Sequence, residues 1–164
     1  MGCDIHIYIE KRVNGDKWQT HPGHTLIHKG TEDEQIGSVD ATGRDYTLFA
    51  ALAGVRGSGP APLGLPDDIS QTIERAIARY GNDGHSHSYI SLDNFKDILR
   101  KHMYTDYSSI SMFYNYGLLG SKHPPNFSTI VSALEHERDQ EYAESILLDY
   151  NLKIEYRLIF FFDN

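Results

Sequence analysis

The stretch Met1-Gly-Cys-Asp-Ile-His-Ile-Tyr-Ile-Glu10 decides the fold, because polar and apolar side chains alternate along it. Residues two apart share one face of an extended strand. The apolar face holds Cys3, Ile5, Ile7 and Ile9, and the opposite face holds Asp4, His6 and Tyr8. We therefore predict a strand over 3–13 with one face in the core and the other equipped for chemistry.

A second strand-like run, from Lys153 to Phe162, precedes Asp163 near the other end of the chain. The pair Asn14-Gly15 is a strong hairpin signal and predicts a short return strand around Trp18. The two terminal runs are the most hydrophobic and strand-like segments, so we expect them to be neighbours in one sheet. In some registers this pairing brings Asp163 near Asp4 or His6.

Four segments have the apolar spacing and end signals of helices. They run from Asp45 to Ala53, from Asp67 or Asp68 to Tyr80, over about 92–102, and from about Asn126 to Tyr150. Residues 21–43 have no clear period and predict a long loop. The Tyr-rich stretch 104–124 is ambiguous. The pattern predicts one α+β domain over 1–164, with a small sheet packed against three or four helices.

The composition limits the classes of partner. The formal net charge of −8 over 164 residues argues against general nucleic-acid binding, which needs Lys and Arg to neutralise phosphates. It leaves room for a small phosphorylated ligand, and self-association stays open. A lone cysteine excludes an internal disulfide. Without an evident signal peptide or membrane span, we expect no membrane partner and a cytoplasmic location.

Two pairs of potential metal ligands share the same spacing. Asp4 and His6 come from one strand, and His85 and His87 from a short extended segment. In extended geometry each pair can direct both side chains to one side, and nitrogen with oxygen ligands suits zinc or manganese. Asp163 can join them as a ligand or base. The competing interpretations are an exposed sheet face and a solvated polar loop.

A glycine-rich turn after the first helix is a second candidate site. Backbone amides of Gly54-Val-Arg-Gly-Ser-Gly59 can approach a phosphate, with Arg44 or Arg56 for bidentate contact. A plain turn is the commoner meaning of such a segment. Further predicted ligand contacts are Tyr46, Ser88 and Tyr89. Cys3 is expected in the core, and His21, His24 and His28 on the surface.

Five motifs together resemble a family of small bacteriophage and bacterial proteins. They are Gly2-Cys-Asp-Ile-His6, Arg44-Asp-Tyr-x-Leu-Phe-Ala-x-Leu-Ala-Gly-Val-Arg56, Gly64-Leu-Pro-Asp-Asp68, His85-Ser-His-Ser-Tyr89 and a closing Phe-Phe-Asp-Asn164. The resemblance spans the chain and implies a phage-encoded protein in the cytoplasm of an infected bacterium. It implies no particular activity. Proteins in that setting often act on nucleotides or on nucleotide signals of host defence, which is an argument by association.

Two functions follow from these features. The first is a metal-assisted hydrolase of a phosphoester in a nucleotide or nucleotide-derived signal. Its metal ligands or bases would be Asp4, His6, His85, His87 and Asp163, with Arg44 or Arg56 on the phosphate. The alternative is a non-catalytic protein that sequesters such a nucleotide or inhibits a host defence protein. It would use the same polar residues and the tyrosines at 104–116 for stacking.

Overall fold

A computed structural model describes residues 2–28, 35–40, 44–101, 127–149 and 151–164 of the chain. The Tyr-rich stretch 104–124, with its predicted stacking tyrosines, lies outside the described residues. The strands are β1 (Asp4–Val13), β2 (Gln19–Thr20), β3 (Leu26–His28), β4 (Gln35–Ile36), β5 (Val39–Asp40), β6 (His85–Ser91) and β7 (Ile154–Asp163). The helices are α1 (Tyr46–Ala53), α2 (Gln71–Ala78), α3 (Leu92–Lys101) and α4 (Phe127–Leu147).

The two terminal strands pair along their whole length, as the sequence predicts. β1 and β7 are antiparallel, from Asp4 opposite Asp163 to Val13 opposite Ile154. The main sheet has the order β2-β1-β7-β6, β5 also pairs with β1, and β3 pairs with β4 separately. The fold is therefore α+β, with β7 between β1 and β6.

Local signals set the turns and helix starts. Asn14 and Gly15 have positive φ angles of 52° and 74°, as a tight hairpin turn requires. Asp45 caps α1 by accepting the N–H of Leu48 at 3.0 Å, and Gly54 ends it in the left-handed conformation. The predicted α2 began too early, at Asp67 or Asp68; the helix begins at Gln71.

Both faces of the sheet are covered. Helices α1, α3 and α4 pack on the face that carries Ile5, Ile7 and Ile9. Helix α2 and Ile36 pack on the face that carries Tyr8. The second face of β1, predicted to be equipped for chemistry, is closed over most of its length, because Tyr8 and Glu10 are both fully buried. On this face Asp4 and His6, at the beginning of β1, and Arg12, near its end, remain partly accessible.

No helix in the described parts of the chain has an apolar segment long enough to cross a membrane. The predicted loop 21–43 contains the three short strands β3, β4 and β5 in its described parts. These strands carry the chain back across β1, because β5 pairs with His6 and Ile7. The connection places residue 38 beside the beginning of β1.

Candidate functional site

His6 lies at the centre of a polar cluster where β1 begins and β7 ends. Its Nε2 is 3.0 Å from Oδ2 of Asp163, an ion-pair distance without hydrogen-bond alignment. On the other side of the ring, Ser38 Oγ and Tyr80 Oη each lie 3.3 Å from Nδ1. The imidazole therefore has a carboxylate at one nitrogen and two hydroxyl groups at the other.

Packing fixes the plane of this imidazole. The His6 ring stacks on Phe161 at 5.0 Å between centroids, and the Tyr80 ring lies 4.6 Å away. Gly84 leaves room for this arrangement, since a Cβ there would lie 3.2 Å from the Phe161 ring. The His6 side chain is only 15% exposed. An imidazole held between aromatic rings, yet partly open to solvent, is suited to proton transfer in one fixed direction.

A carboxylate paired with a guanidinium group lies two residues before His6 along β1. Asp4 is directly opposite Asp163, and Arg44 donates two hydrogen bonds to the Asp4 carboxylate, at 2.7 and 3.0 Å. These hydrogen bonds lower the pKa of Asp4 below its ordinary value. A Cβ on Gly2 would collide with the Arg44 guanidinium. The glycine at position 2 thus allows Arg44 to cross the beginning of β1.

Arg56 provides a second guanidinium group at the same end of the sheet. It has a positive φ of 59° in the turn after α1, and its Nη2 donates to Oδ1 of Asn164 at 3.4 Å. It also faces the Tyr46 ring at 6.0 Å. Cys3 is fully buried as predicted, and burial raises its pKa although Arg56 nearby opposes this. Arg44 and Arg56, which flank α1 in the chain, therefore both contact residues at this end of the sheet.

The second histidine pair is divided between the two faces of the sheet. β6 is irregular between His85 and Ser88, and Ser86 has a positive φ of 54°. His87 stacks on Phe161 at 5.3 Å, whereas His85 faces Phe162, which belongs to the core on the other side. The two rings therefore do not lie side by side, as a regular strand would place them.

His6 and His87 share one face of the sheet but not one position. Phe161 of the central strand stacks with both, so its ring lies between them. Burial lowers the pKa of His87, and the nearby His85 adds to this effect. Burial thus favours the neutral form of His87, whose ring packs on Phe161.

The described residues contain no group of three or more His, Cys, Asp or Glu side chains placed to hold one metal ion. Among the predicted ligands, the structure brings Asp4, His6 and Asp163 to one end of the sheet and leaves His85 and His87 across Phe161. A divalent zinc or manganese ion remains a prediction.

Two predicted ligand contacts have structural partners elsewhere. Ser88 is buried, and its Oγ accepts the N–H of Leu63 at 3.2 Å. The ring of Tyr89 faces the guanidinium of Arg157 at 5.8 Å. Both residues therefore help to hold the edge of β6. Of the five predicted ligand contacts, Arg44, Tyr46 and Arg56 lie at the His6 end of the sheet.

Two histidines predicted on the surface are instead buried. His21 contacts Glu137 at 3.0 Å, and His24 accepts the N–H of Ile9 at 2.9 Å. Burial opposes ionisation of Glu137, but hydrogen bonds from His21 and a nearby tyrosine outweigh it and lower its pKa to about 2. The surface prediction failed because polar loop composition does not reveal which side chains fold inward.

Sequence patterns missed two members of the His6 cluster, Ser38 and Tyr80. Ser38 lies in a segment without periodicity, and Tyr80 follows α2. They are 32 and 74 positions from His6 along the chain. No local spacing could have associated these residues.

Two clefts of about 890 Å³, both lined in part by Trp18, lie away from this cluster. Trp18 contacts the guanidinium groups of Arg12 and Arg157, at 4.4 and 4.3 Å from its ring. Neither cleft includes His6 or Asp163. The described residues therefore form a polar cluster at one end of the sheet and separate concave surfaces near Trp18.

Comparison with protein-family models, with curated proteins and with solved structures finds no match to this chain.

Proposed function

We propose that the chain is a hydrolase that cleaves a phosphoester bond in a nucleotide or a nucleotide-derived signalling molecule. The observation that carries the proposal is His6, held between Asp163 and two hydroxyl groups beside the arginines of the sheet end. The resemblance to phage proteins supports a phage-encoded enzyme that removes a nucleotide signal of host defence in the bacterial cytoplasm.

In this reaction His6 is the general base. It takes the proton of the oxygen nucleophile that attacks phosphorus, while the bond from phosphorus to the leaving oxygen breaks; one water molecule is consumed over the whole hydrolysis. The proton then passes from His6 to the leaving oxygen. Asp163 stabilises the imidazolium that forms between these two steps, and a positioned base of this kind typically contributes about 10²–10⁴-fold in rate.

Arg44 and Arg56 hold the phosphate. A guanidinium group matches the geometry of two phosphate oxygens, and positive charge stabilises the transition state of phosphoryl transfer. Arg44 is half exposed while it pairs with Asp4. A phosphate can therefore approach it from solvent, with Asp4 fixing the direction of the guanidinium.

The first test is hydrolysis of a panel of nucleoside phosphates, cyclic mononucleotides and cyclic dinucleotides. We expect turnover by the wild-type protein and a loss of at least about 100-fold in kcat/KM for His6→Ala. His136→Ala is the matched control, because His136 is an exposed histidine on α4. Retention of full activity by folded His6→Ala would refute His6 as the base.

Elemental analysis tests the predicted metal separately. Stoichiometric zinc or manganese in the purified protein, lost in a folded His6→Ala, His87→Ala variant, would establish a metal site that includes these positions. Activity that persists after chelation, in protein without bound metal, would support general-base catalysis by His6 without a metal ion.

The cleft beside β7 favours the alternative, a non-catalytic protein that sequesters a nucleotide. Its volume of about 890 Å³ suits a small ligand, and its lining includes Trp18, Tyr89, Arg138 and Lys153. Tight one-to-one retention of a nucleotide without product, accompanied by a change in Trp18 fluorescence, would support this function. Such binding should persist in His6→Ala, since His6 does not line the cleft.

A further inference from the structure

Ser38, His6 and Asp163 have the mutual arrangement of a nucleophile, a base and an orienting carboxylate. The hydroxyl of Ser38 lies 3.3 Å from one imidazole nitrogen, and the carboxylate lies 3.0 Å from the other. Such a relay is recognised by geometry and roles, because unrelated folds supply its members from different chain positions. Here they come from the connection before β5, from β1 and from β7.

We infer that Ser38 is the nucleophile of the proposed hydrolase and that the reaction passes through a covalent phosphoserine. This inference rests on the proposed function for its substrate class. The relay itself depends only on the three side chains and can be tested without a substrate.

The proposed reaction has two half-reactions, formation of the phosphoserine and its hydrolysis. Ser38 Oγ forms a bond to phosphorus as the ester P–O bond breaks, and its proton passes through His6 Nδ1 to the leaving oxygen. A water molecule then attacks the phosphoserine, its proton passes to His6, and the Oγ–P bond breaks. The proton returns to Oγ, so that the protein is unchanged and one water is consumed.

Burial and packing suit this role. Ser38 is half-buried, and the His6 ring is held against Phe161 with its plane fixed. The hydroxyl therefore does not need to find its base by free rotation in water. The Asp163 side chain is 28% exposed, and its Oδ2 lies 3.0 Å from Nε2 without hydrogen-bond alignment.

Tyr80 presents the alternative proton donor, because its hydroxyl is equally close to Nδ1. Serine and tyrosine oxygens can each attack phosphorus in principle. Identification of the modified residue distinguishes them directly. Tyr80→Phe keeps the ring that packs against His6 and removes only the hydroxyl.

The test is reaction of the full-length protein with a fluorophosphonate, followed by peptide mass mapping. Attack forms an Oγ–P bond, and fluoride leaves with the proton. We expect modification at Ser38, at least about 100-fold slower in His6→Gln and absent in Ser38→Ala. Ser58→Ala, which changes an exposed serine, should label as the wild type does, and Tyr80→Phe should still carry its label on Ser38.

No label on Ser38 of the folded wild type, or an unchanged labelling rate in His6→Gln, would overturn the inference. Label on Tyr80 would do the same. If Ser38→Ala does not fold, mapping of the wild type together with His6→Gln still decides the matter. Label at Ser38 without hydrolysis of any nucleotide would keep the relay and remove the proposed substrate class. Hydrolysis retained by Ser38→Ala would keep the proposed function and remove the nucleophile.

Discussion

At the scale of single residues, His24 shows how a side chain can hold a strand edge. Its Nε2 accepts the N–H of Ile9 at 2.9 Å, and its Nδ1 donates to the carbonyl of Gly37 at 3.1 Å. Both roles are filled only by the neutral ring. Burial lowers the pKa of His24 to about 4 from 6.5.

This lowered pKa predicts a loss of stability in mild acid. The unfolded chain protonates His24 below pH 6.5, whereas the folded chain does so only near pH 4, so stability falls as the pH decreases through this window. Between pH 7 and pH 5, the lowered pKa of His24 should reduce the free energy of unfolding by about 2 kcal/mol. Urea unfolding of His24→Gln should show a shallower pH dependence than the wild type, and His136→Gln should keep the wild-type slope. Equal slopes for wild type and His24→Gln would contradict the assignment.

Gly2 permits a second prediction at this scale. In Gly2→Ala the new Cβ would displace the end of the Arg44 side chain. Because this side chain is flexible, the free energy of unfolding should change by less than about 0.5 kcal/mol. Because Arg44 is proposed to bind phosphate, we expect KM to rise on the order of tenfold, equivalent to about 1.4 kcal/mol. Steady-state kinetics beside Ser58→Ala, which changes an exposed serine, provides the comparison. An unchanged KM would argue against phosphate binding by Arg44.

At the scale of elements, β1 and β7 are joined by a buried ion pair as well as by the ladder. Arg157 lies opposite Glu10 and donates to its carboxylate at 2.5 Å, and the carboxylate also accepts the N–H of Ser70 before α2. Arg157 reaches Asp68 at 2.7 Å. One charged pair thus ties the two terminal strands to the beginning of a helix.

Removal of this guanidinium should be costly. Glu10 is fully buried and Arg157 is 7% exposed, so Arg157→Ala leaves an unpaired buried carboxylate. We expect a loss of about 3–5 kcal/mol of unfolding free energy in urea. The neighbouring Arg12 is a matched control, since it also contacts Trp18 but pairs with Glu155 at about 30% exposure. Arg12→Ala should cost about 1 kcal/mol or less, and equal losses for the two variants would contradict the argument.

At the scale of the whole molecule, β7 is bonded on both edges and covered on both faces. It pairs with β1 and β6, and its side chains enter both apolar clusters, with Phe160 and Phe162 in one and Phe161 in the other. An almost continuous apolar sequence is what a strand buried on both faces requires. The two faces of the domain therefore depend on one strand.

Hydrogen exchange tests this organisation. Amides of β7 that bond to its neighbours should open only with global unfolding, whereas those of the two-residue strand β2 should exchange through local opening. The expected difference in protection is several orders of magnitude between Phe160 and Gln19. Similar exchange at these two positions would show that β7 does not join the two faces into one cooperative unit.

The sequence by itself determined the features that depend on neighbouring residues. Alternation in β1 and the apolar run of β7 predicted two strands, and apolar spacing with end signals predicted α1 and α3, whose first turns Asp45 and Ser91 cap in the structure. The pairing of the terminal strands also followed, because these were the segments best suited to a sheet. These predictions succeed because strand periodicity and helix capping are local properties of the backbone.

Only the tertiary structure decided the composition of the site. Ser38 and Tyr80 meet His6 because β5 returns to β1 and because α2 ends beside it, and no spacing in the sequence encodes those contacts. The irregularity at Ser86 separated two histidines that a regular strand would have kept together. Packing between distant segments selects which polar groups converge, and that selection depends on the whole fold rather than on any local pattern.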